Sequence, residues 1–292
     1  MCNSFSIFED KSNPTIMKKI IIPVDFSQQS EYALETAAAL AKKYNSELIV
    51  MHMLELSESI FSSSSSDKNE ETAFMLLVTN KKFESLLDKP YLEGLSVTPM
   101  IKHHKVLKEV DEVAKELDVD LIVMGSRGHN DYEGVFLGSN TEKVVRHSEI
   151  PLLVVKSKPK TINFEHIVIA TDFSENSASA AQVAMKLLSN LGKKVTFLHI
   201  NLPNAHFLST DEIEEKASKF LKITNLEDWK DNIVLISDYN VEEAILSYAN
   251  KHNIDAIAMI TEGRTGLSHL FGGSISEDLV NHTKLPVFTF KK

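Results

Sequence analysis

A single cysteine, Cys2, stands in a chain of 292 residues. No internal disulfide can form, and the composition fits a reducing compartment. Long apolar runs are missing as well. Nothing approaches the roughly 18 consecutive apolar residues of a membrane span, and no basic segment followed by an apolar stretch opens the chain. A cytoplasmic location is therefore expected. Positive charge is in deficit, with 31 Lys and Arg against 41 Asp and Glu and a formal net charge of -10, which argues against a nucleic-acid surface as the main function. Catalytic signatures are absent too: there is no G-x-x-x-x-G-K-[ST] loop, no G-x-S-x-G elbow and no nucleophile paired with a base. Glycine is scarce, at ten residues, and its placement is uneven.

Eight of those ten glycines fall in two stretches, "MGSRGHNDYEGVFLGSN" at 124–140 and "TEGRTGLSHLFGGS" at 261–274; only Gly94 and Gly192 lie elsewhere. The two stretches belong to an internal duplication. "IIPVDFS" at 21–27 returns as "VIATDFS" at 168–174, so Asp25 recurs 147 residues on as Asp172, and His52 as His199. Later landmarks are 135 residues apart: Asp120 and Asp255, Gly128 and Gly263, Gly138 and Gly273, Pro151 and Pro286. The second copy is thus 12 residues shorter, and the difference falls after His52, where "SESIFSSSSSDKNEE" reads as a solvated loop.

With 43% hydrophobic and 25% charged residues the chain is of ordinary globular composition, and its length favours two domains. Each copy alternates short apolar runs with helical patterns. "KKIIIPV", "ELIVMHM", "SVTPMI", "DLIVMG" and "PLLVV" read as strands. Ser27 or Ser30 caps a first helix whose buried stripe is Leu34, Ala37, Ala38 and Ala41. Further helices are expected near 70–88, through Leu107, Val110, Ala114 and Leu117, and near 140–148. In the second copy Ala181, Ala184, Met185 and Leu188 mark the first helix, with Gly192 placed to end it. The acidic "TDEIEEKASKF" reads as a solvated helix face. Such alternation implies doubly wound parallel sheets with helices on both faces. The expected organisation is an α/β protein of two tandem Rossmann-like domains, 17–157 and 163–292, joined near the polar "KSKPKTINF". Residues 1–16 form an N-terminal extension: strand-like sequence begins only at "MKKIIIPVDFS", and Met17 is read as the ancestral start.

In an open parallel sheet a ligand binds beyond the C-terminal strand ends, where strand order reverses. Asp25 follows the first strand and Gly125 the fourth, so both would line one crevice. Glycine allows close backbone approach, and the helix opening at Ser139 adds N–H donors and partial positive charge. That is an anion cradle, with an aspartate suited to sugar hydroxyls at its other end. A nucleotide satisfies both.

"MKKIIIPVDFS", "DLIVMGSRG" and the spacing G-x2-G-x9-G-S closely resemble the universal stress protein family, in its tandem-domain form, across nearly all of residues 17–291. The resemblance implies five-stranded sheets in order 3-2-1-4-5, a fifth strand used for pairing domains as an internal pseudo-dimer, and adenine-nucleotide binding, with ATP as ligand and Mg2+ or Mn2+ as its counter-ion. Carried over by position, Asp25 would hold adenine or ribose, flanked by Pro23 and Val24. The Met53 backbone would read the adenine edge. Met124, Gly125, Arg127 and Gly128 would lie along ribose and phosphates, and Gly138, Ser139 and Asn140 would hold the phosphate tail. In the second copy the matching set is Asp172, Ile200, Gly263, Gly273 and Ser274. It departs from the pattern at Ile260, in the place of Gly125, and at Glu262, in the place of Arg127, so the first domain is expected to carry the nucleotide and the second to bind weakly or differently.

Plainer roles compete. Glycine after a buried strand can serve only a turn, and Asp25 and Asp172 can cap helices. His52 and His199 lack partners at metal-ligand spacing and are expected to be packed or hydrogen-bonded. His103 and His104 project to opposite sides of a strand and make a poor chelate. Three functions stay open: an ATP-binding stress-response regulator, a slow nucleotide-hydrolysing enzyme, and a nucleotide-independent interaction scaffold. A whole-chain homodimer is compatible with all three, and the acidic surface offers nothing specific to nucleic acid or membrane.

Overall fold

The apolar runs become strands because each is hidden on both faces. The computed structural model describes residues 17–54, 65–103, 106–126, 138–158, 164–261 and 279–292. Its strands are β1 (Lys19–Val24), β2 (Glu47–Leu54), β3 (Val97–His103), β4 (Leu121–Gly125), β5 (Leu152–Val155), β6 (Phe164–Ala170), β7 (Gly192–Asn201), β8 (Ile233–Ser237), β9 (Ala256–Thr261) and β10 (Val287–Lys291). The helices are α1 (Gln28–Tyr44), α2 (Ser65–Leu87), α3 (Val106–Glu116), α4 (Ser139–His147), α5 (Ala178–Leu191), α6 (Thr210–Thr224) and α7 (Val241–Lys251).

All ten strands form one sheet in the order β3-β2-β1-β4-β5-β10-β9-β6-β7-β8. Each half repeats the order 3-2-1-4-5 that the family resemblance implied. Alternate residues along β1 serve opposite layers, as the twofold period of a strand requires. Ile20, Ile22 and Val24 join the core beneath α1, with Leu34, Ala37, Ala38 and Ala41. Ile21 instead joins Val110 and Ala114 of α3 and Val144 of α4 on the far side. The start of each first strand is pinned in the same way in both halves. Asp120 accepts the Lys18 and Lys19 N–H groups at 2.6 and 3.0 Å, and Asp255 accepts those of Glu165 and His166 at 2.8 and 2.9 Å.

The pairings are parallel except one. At the seam β5 runs antiparallel to β10, with Val154 opposite Val287 and Leu153 opposite Phe288. Two strand edges that would otherwise template aggregation thereby cover each other. The duplication is visible in the polar contacts there. Lys156 Nζ donates to Asn281 O at 2.8 Å, and Lys291 Nζ, its counterpart, donates to His147 O at 3.0 Å. Tyr44 at the end of α1 donates to Asn190 O of α5 at 2.6 Å.

One local expectation needs correction, and two further details were not foreseen. The serine tract is not wholly loop, because α2 begins at Ser65 inside it. Gly192 ends α5 without the left-handed turn expected of a glycine cap: at φ -105° it passes straight into β7, and an added Cβ would lie 2.9 Å from Ile167 Cδ1. The left-handed caps are asparagines, Asn45 after α1 and Asn225 after α6. The first helical turn is also not duplicated. Where α1 starts at Gln28, the second half has a 3-10 turn, Glu175–Ser177, and α5 opens only at Ala178.

Candidate functional site

From β1 the chain crosses through α1 to β2 on one side, and β4 lies on the other. The gap beyond the C-terminal ends of β1 and β4 is thus the switch point of the first half-sheet. Pro23, Val24 and Asp25 end β1, Met53 lies near the end of β2, Met124 and Gly125 end β4, and Gly138, Ser139 and Asn140 open α4. The fold brings these nine together at one sheet edge. Val24, Met53 and Met124 are buried, so their backbone is what they can offer a ligand. Arg127, Gly128, Gly263, Gly273, Ser274 and Glu262 lie outside the described residues, as does His104.

Asp25 is held in a fixed pose. Its Oδ1 accepts the Ser27 N–H at 3.0 Å and the Ser27 hydroxyl at 2.6 Å. Ser27 Oγ in turn accepts the Ser30 N–H at 3.2 Å and so caps α1. Between Asp25 and Ser27, Phe26 adopts φ 64°, and this left-handed turn drives its ring to 4.6 Å from the His52 ring and 5.4 Å from that of Phe83. His52 Nδ1 lies 2.7 Å from Val24 O, which fixes the proton on that nitrogen since a carbonyl only accepts.

The second half repeats the device. Asp172 Oδ1 accepts the Ser174 N–H at 2.9 Å, Phe173 sits at φ 53° and stacks 5.3 Å from His199, and His199 Nδ1 donates to Thr171 O at 3.0 Å. Burial pushes the His199 pKa below the ordinary histidine value, against the opposing pull of the Thr171 carbonyl. Both histidines are therefore packed and hydrogen-bonded, as expected. Of the repeated "DFS", sequence reasoning used only the aspartate; the phenylalanine that seats the histidine was equally visible as part of the repeat.

The far wall is α4. Its cap residue Gly138 supplies no side-chain acceptor for the opening N–H groups of the helix. The Gly138 N–H is spent on Ser126 O at 2.8 Å, and the Thr141 hydroxyl donates to Gly125 O at 2.8 Å. These two bonds set the positive end of α4 against the end of β4. Thr141 carries this positioning role and was missed, although a threonine two residues past G-S was there to be read. Gly125 has a different reason for being glycine than the sequence suggested: an added Cβ would meet Gln29 C and O at 2.8 Å. The close approach is to the first turn of α1.

Ile260 fills the matching place in the second half, buried in the same core as Ala178 and Ala181 of α5. With a branched side chain there, the helix opens three residues later. Asp172 and Ile200 are both buried at the corresponding edge. Among the described residues no group of three or more His, Cys, Asp or Glu could hold a metal, and no helix is long and apolar enough to cross a membrane.

Fold and crevice together define a class: a tandem α/β protein with two switch-point clefts, joined through its fifth strands. The model of the universal stress protein family matches residues 17–156 and again 163–291, and the chain belongs to that family. It is 31% identical over 155 residues to universal stress protein MJ0577 of Methanocaldococcus jannaschii, covering 48% of this chain and 96% of that one. Universal stress protein MT2052 of Mycobacterium tuberculosis is 24% identical over 302 residues, spanning 92% of this chain and 93% of its own. A putative universal stress protein from Pseudomonas aeruginosa shares the fold, with a TM-score of 0.61 at 16% identity over 96% of this chain and 95% of that one.

Proposed function

We propose that the protein is an ATP-binding regulatory member of its family, built of domains 17–157 and 163–292, with the nucleotide held mainly by the first. The observation that carries this reading is the meeting, at one switch point, of a fixed carboxylate and a helix N-terminus whose cap residue is a glycine with no side-chain acceptor. Asp25 would accept from ribose or adenine, the backbone at Met53 would meet the adenine edge, and the N–H groups opening α4 at Ser139 and Asn140 would hold phosphate. ATP would bring the charge that the positive helix end favours; any divalent ion would come with its phosphates. The glycine loop through Arg127 and Gly128 would complete the cradle. In the second domain, Ile260 and the delayed start of α5 support a weaker or different preference.

The test is mass spectrometry of small molecules released on denaturing freshly purified protein, beside a Gly138→Val variant, followed by ATP titration calorimetry. The expected result is about one adenine nucleotide per chain, retained because dissociation is slow and lost in the variant. Two equal ATP sites would remove the asymmetry. A protein that is empty and also ignores added ATP would leave the glycines as turn-makers.

A further inference from the structure

The single charged residue of α5, Lys186, lines a groove on the outer helix layer of the second half. Gln182, Met185, Lys186 and Ser189 recur three and four apart and share one face of α5. Leu226 and Trp229 form the other wall, and the groove measures about 390 Å³, within the usual range for small-molecule sites. Met185 is buried and makes the floor, and Trp229, the only tryptophan of the chain, is half-buried beside it. The groove lies just ahead of where β7 and β8 begin, at the opposite end of the sheet from the crevice.

The duplication shows what is particular to this place. In the first half the 3-10 turn Pro90–Leu92 packs on α1, and Lys89 Nζ bonds Glu31 Oε1 at 2.7 Å. Burial, followed by the nearby carboxylates Glu31 and Glu35, holds the Tyr91 phenol above its ordinary pKa. The matching positions of α5, 147 residues on, are Ala178 and Gln182, and Lys186 stands where α1 has Ala39. The second-half turn, Glu227–Asn232, packs chiefly on α6 and β7. This face has thus exchanged two carboxylates for one ammonium. Among the described residues neither Lys186 Nζ nor the Trp229 indole N–H has a hydrogen-bond or ion-pair partner.

We propose that the groove binds a small aromatic carboxylate, with its ring between Trp229 and Met185 and its charge on Lys186. An indole face and a thioether both favour an aromatic ring over an aliphatic one. An ammonium without a carboxylate of its own favours an anion. The last turn of α6 would oppose an anion if its carbonyls stood open. They do not: Phe220 O and Leu221 O accept the Thr224 hydroxyl at 2.8 and 3.1 Å, Lys222 O accepts the Asn225 N–H, and Thr224 O accepts the Gln182 amide at 3.0 Å.

The lone tryptophan makes the test direct, because its indole N–H gives one resonance in a nitrogen-15 correlation spectrum. The full chain is titrated with 3-phenylpropionate from about 0.1 to 20 mM, which brackets the Kd of a few millimolar expected for so few atoms. The Trp229 signal should shift and saturate. The uncharged 3-phenylpropionamide should bind roughly three- to fivefold more weakly, as should 3-phenylpropionate to Lys186→Gln, since an exposed charge pair supplies about that much. Saturation transfer to the phenyl protons should fall away in Trp229→Leu. Lys186 is exposed, and an unchanged thermal melt will show that each variant folds. No shift up to about 20 mM overturns the proposal. Equal affinities for acid and amide, or for wild type and Lys186→Gln, overturn the anion assignment, and full transfer in Trp229→Leu overturns the seat of the ring. A probe displaced by ATP also overturns it, because the acid would then occupy the crevice.

Discussion

Gly125 stands where β4 meets both the crevice and the first turn of α1. Its missing side chain lets the Gln29 backbone come within 2.8 Å of where a Cβ would be, and that turn cannot easily yield, because Ser27 caps it and Asp25 holds Ser27. Gly125→Ala should therefore cost about 1–3 kcal/mol, the usual range for overpacking a tight site. Urea unfolding of the variant measures it, and an unchanged midpoint would refute the packing role. The buried imidazole of His199 gives a second consequence at this scale. Its folded pKa lies below the ordinary value of about 6.5, so on acidification the unfolded chain takes up its proton first. The associated stability is complete above that value and is lost as pH falls through the lower, folded pKa. Urea midpoints at about pH 7 and pH 5, on either side of the ordinary histidine pKa, should show a larger acid loss for wild type than for His199→Phe.

At the scale of elements, what the sequence disclosed depended on whether a signal was local. Strands were plain, since "LIVMG" and "IIIPV" are apolar throughout, as covered parallel strands are. The stripe of α1 was equally plain, with Leu34, Ala37, Ala38 and Ala41 all buried as spaced. The start of α2 was hidden, because serine favours turns and caps by local preference, and only the helix's continuation through "DKNEE" carries it back to Ser65. Gly192 does end α5, but its surroundings were hidden for a related reason: glycine permits a left-handed cap and here instead answers to Ile167, a residue 25 positions away. The candidate site divides the same way. Asp25 and Gly138 were legible from spacing, whereas the tie from Thr141 to Gly125 O depends on how α4 is set against β4.

Over the whole molecule, the seam decides whether two repeats behave as one body. The core beneath α1 runs without a break into the core beneath α5: Leu153 of β5 and Phe288 of β10 face each other fully buried, and the Phe288 ring meets that of Phe164 edge-on at 5.7 Å. Lysines from each half reach a backbone carbonyl of the other, and Tyr44 joins the two first helices. Opening either half alone would strip apolar surface from its partner and leave an unpaired strand edge, so partial unfolding gains little conformational freedom for what it exposes. The two halves should therefore unfold in one transition, although chains of two domains commonly do not. The sequence supplies its own probe, because the single tryptophan, Trp229, belongs to the second half, whereas far-ultraviolet circular dichroism reports both. Fluorescence and dichroism are expected to give coincident urea midpoints. A fluorescence transition displaced from the dichroism curve would mean that the seam joins two bodies of separate stability. Under the proposed function, saturating ATP should move both midpoints together, since a ligand at about 100 times its Kd adds roughly 2.7 kcal/mol to whatever unfolds with its site. If the tryptophan signal ignored ATP while dichroism shifted, nucleotide bound in the first half would be stabilising that half alone.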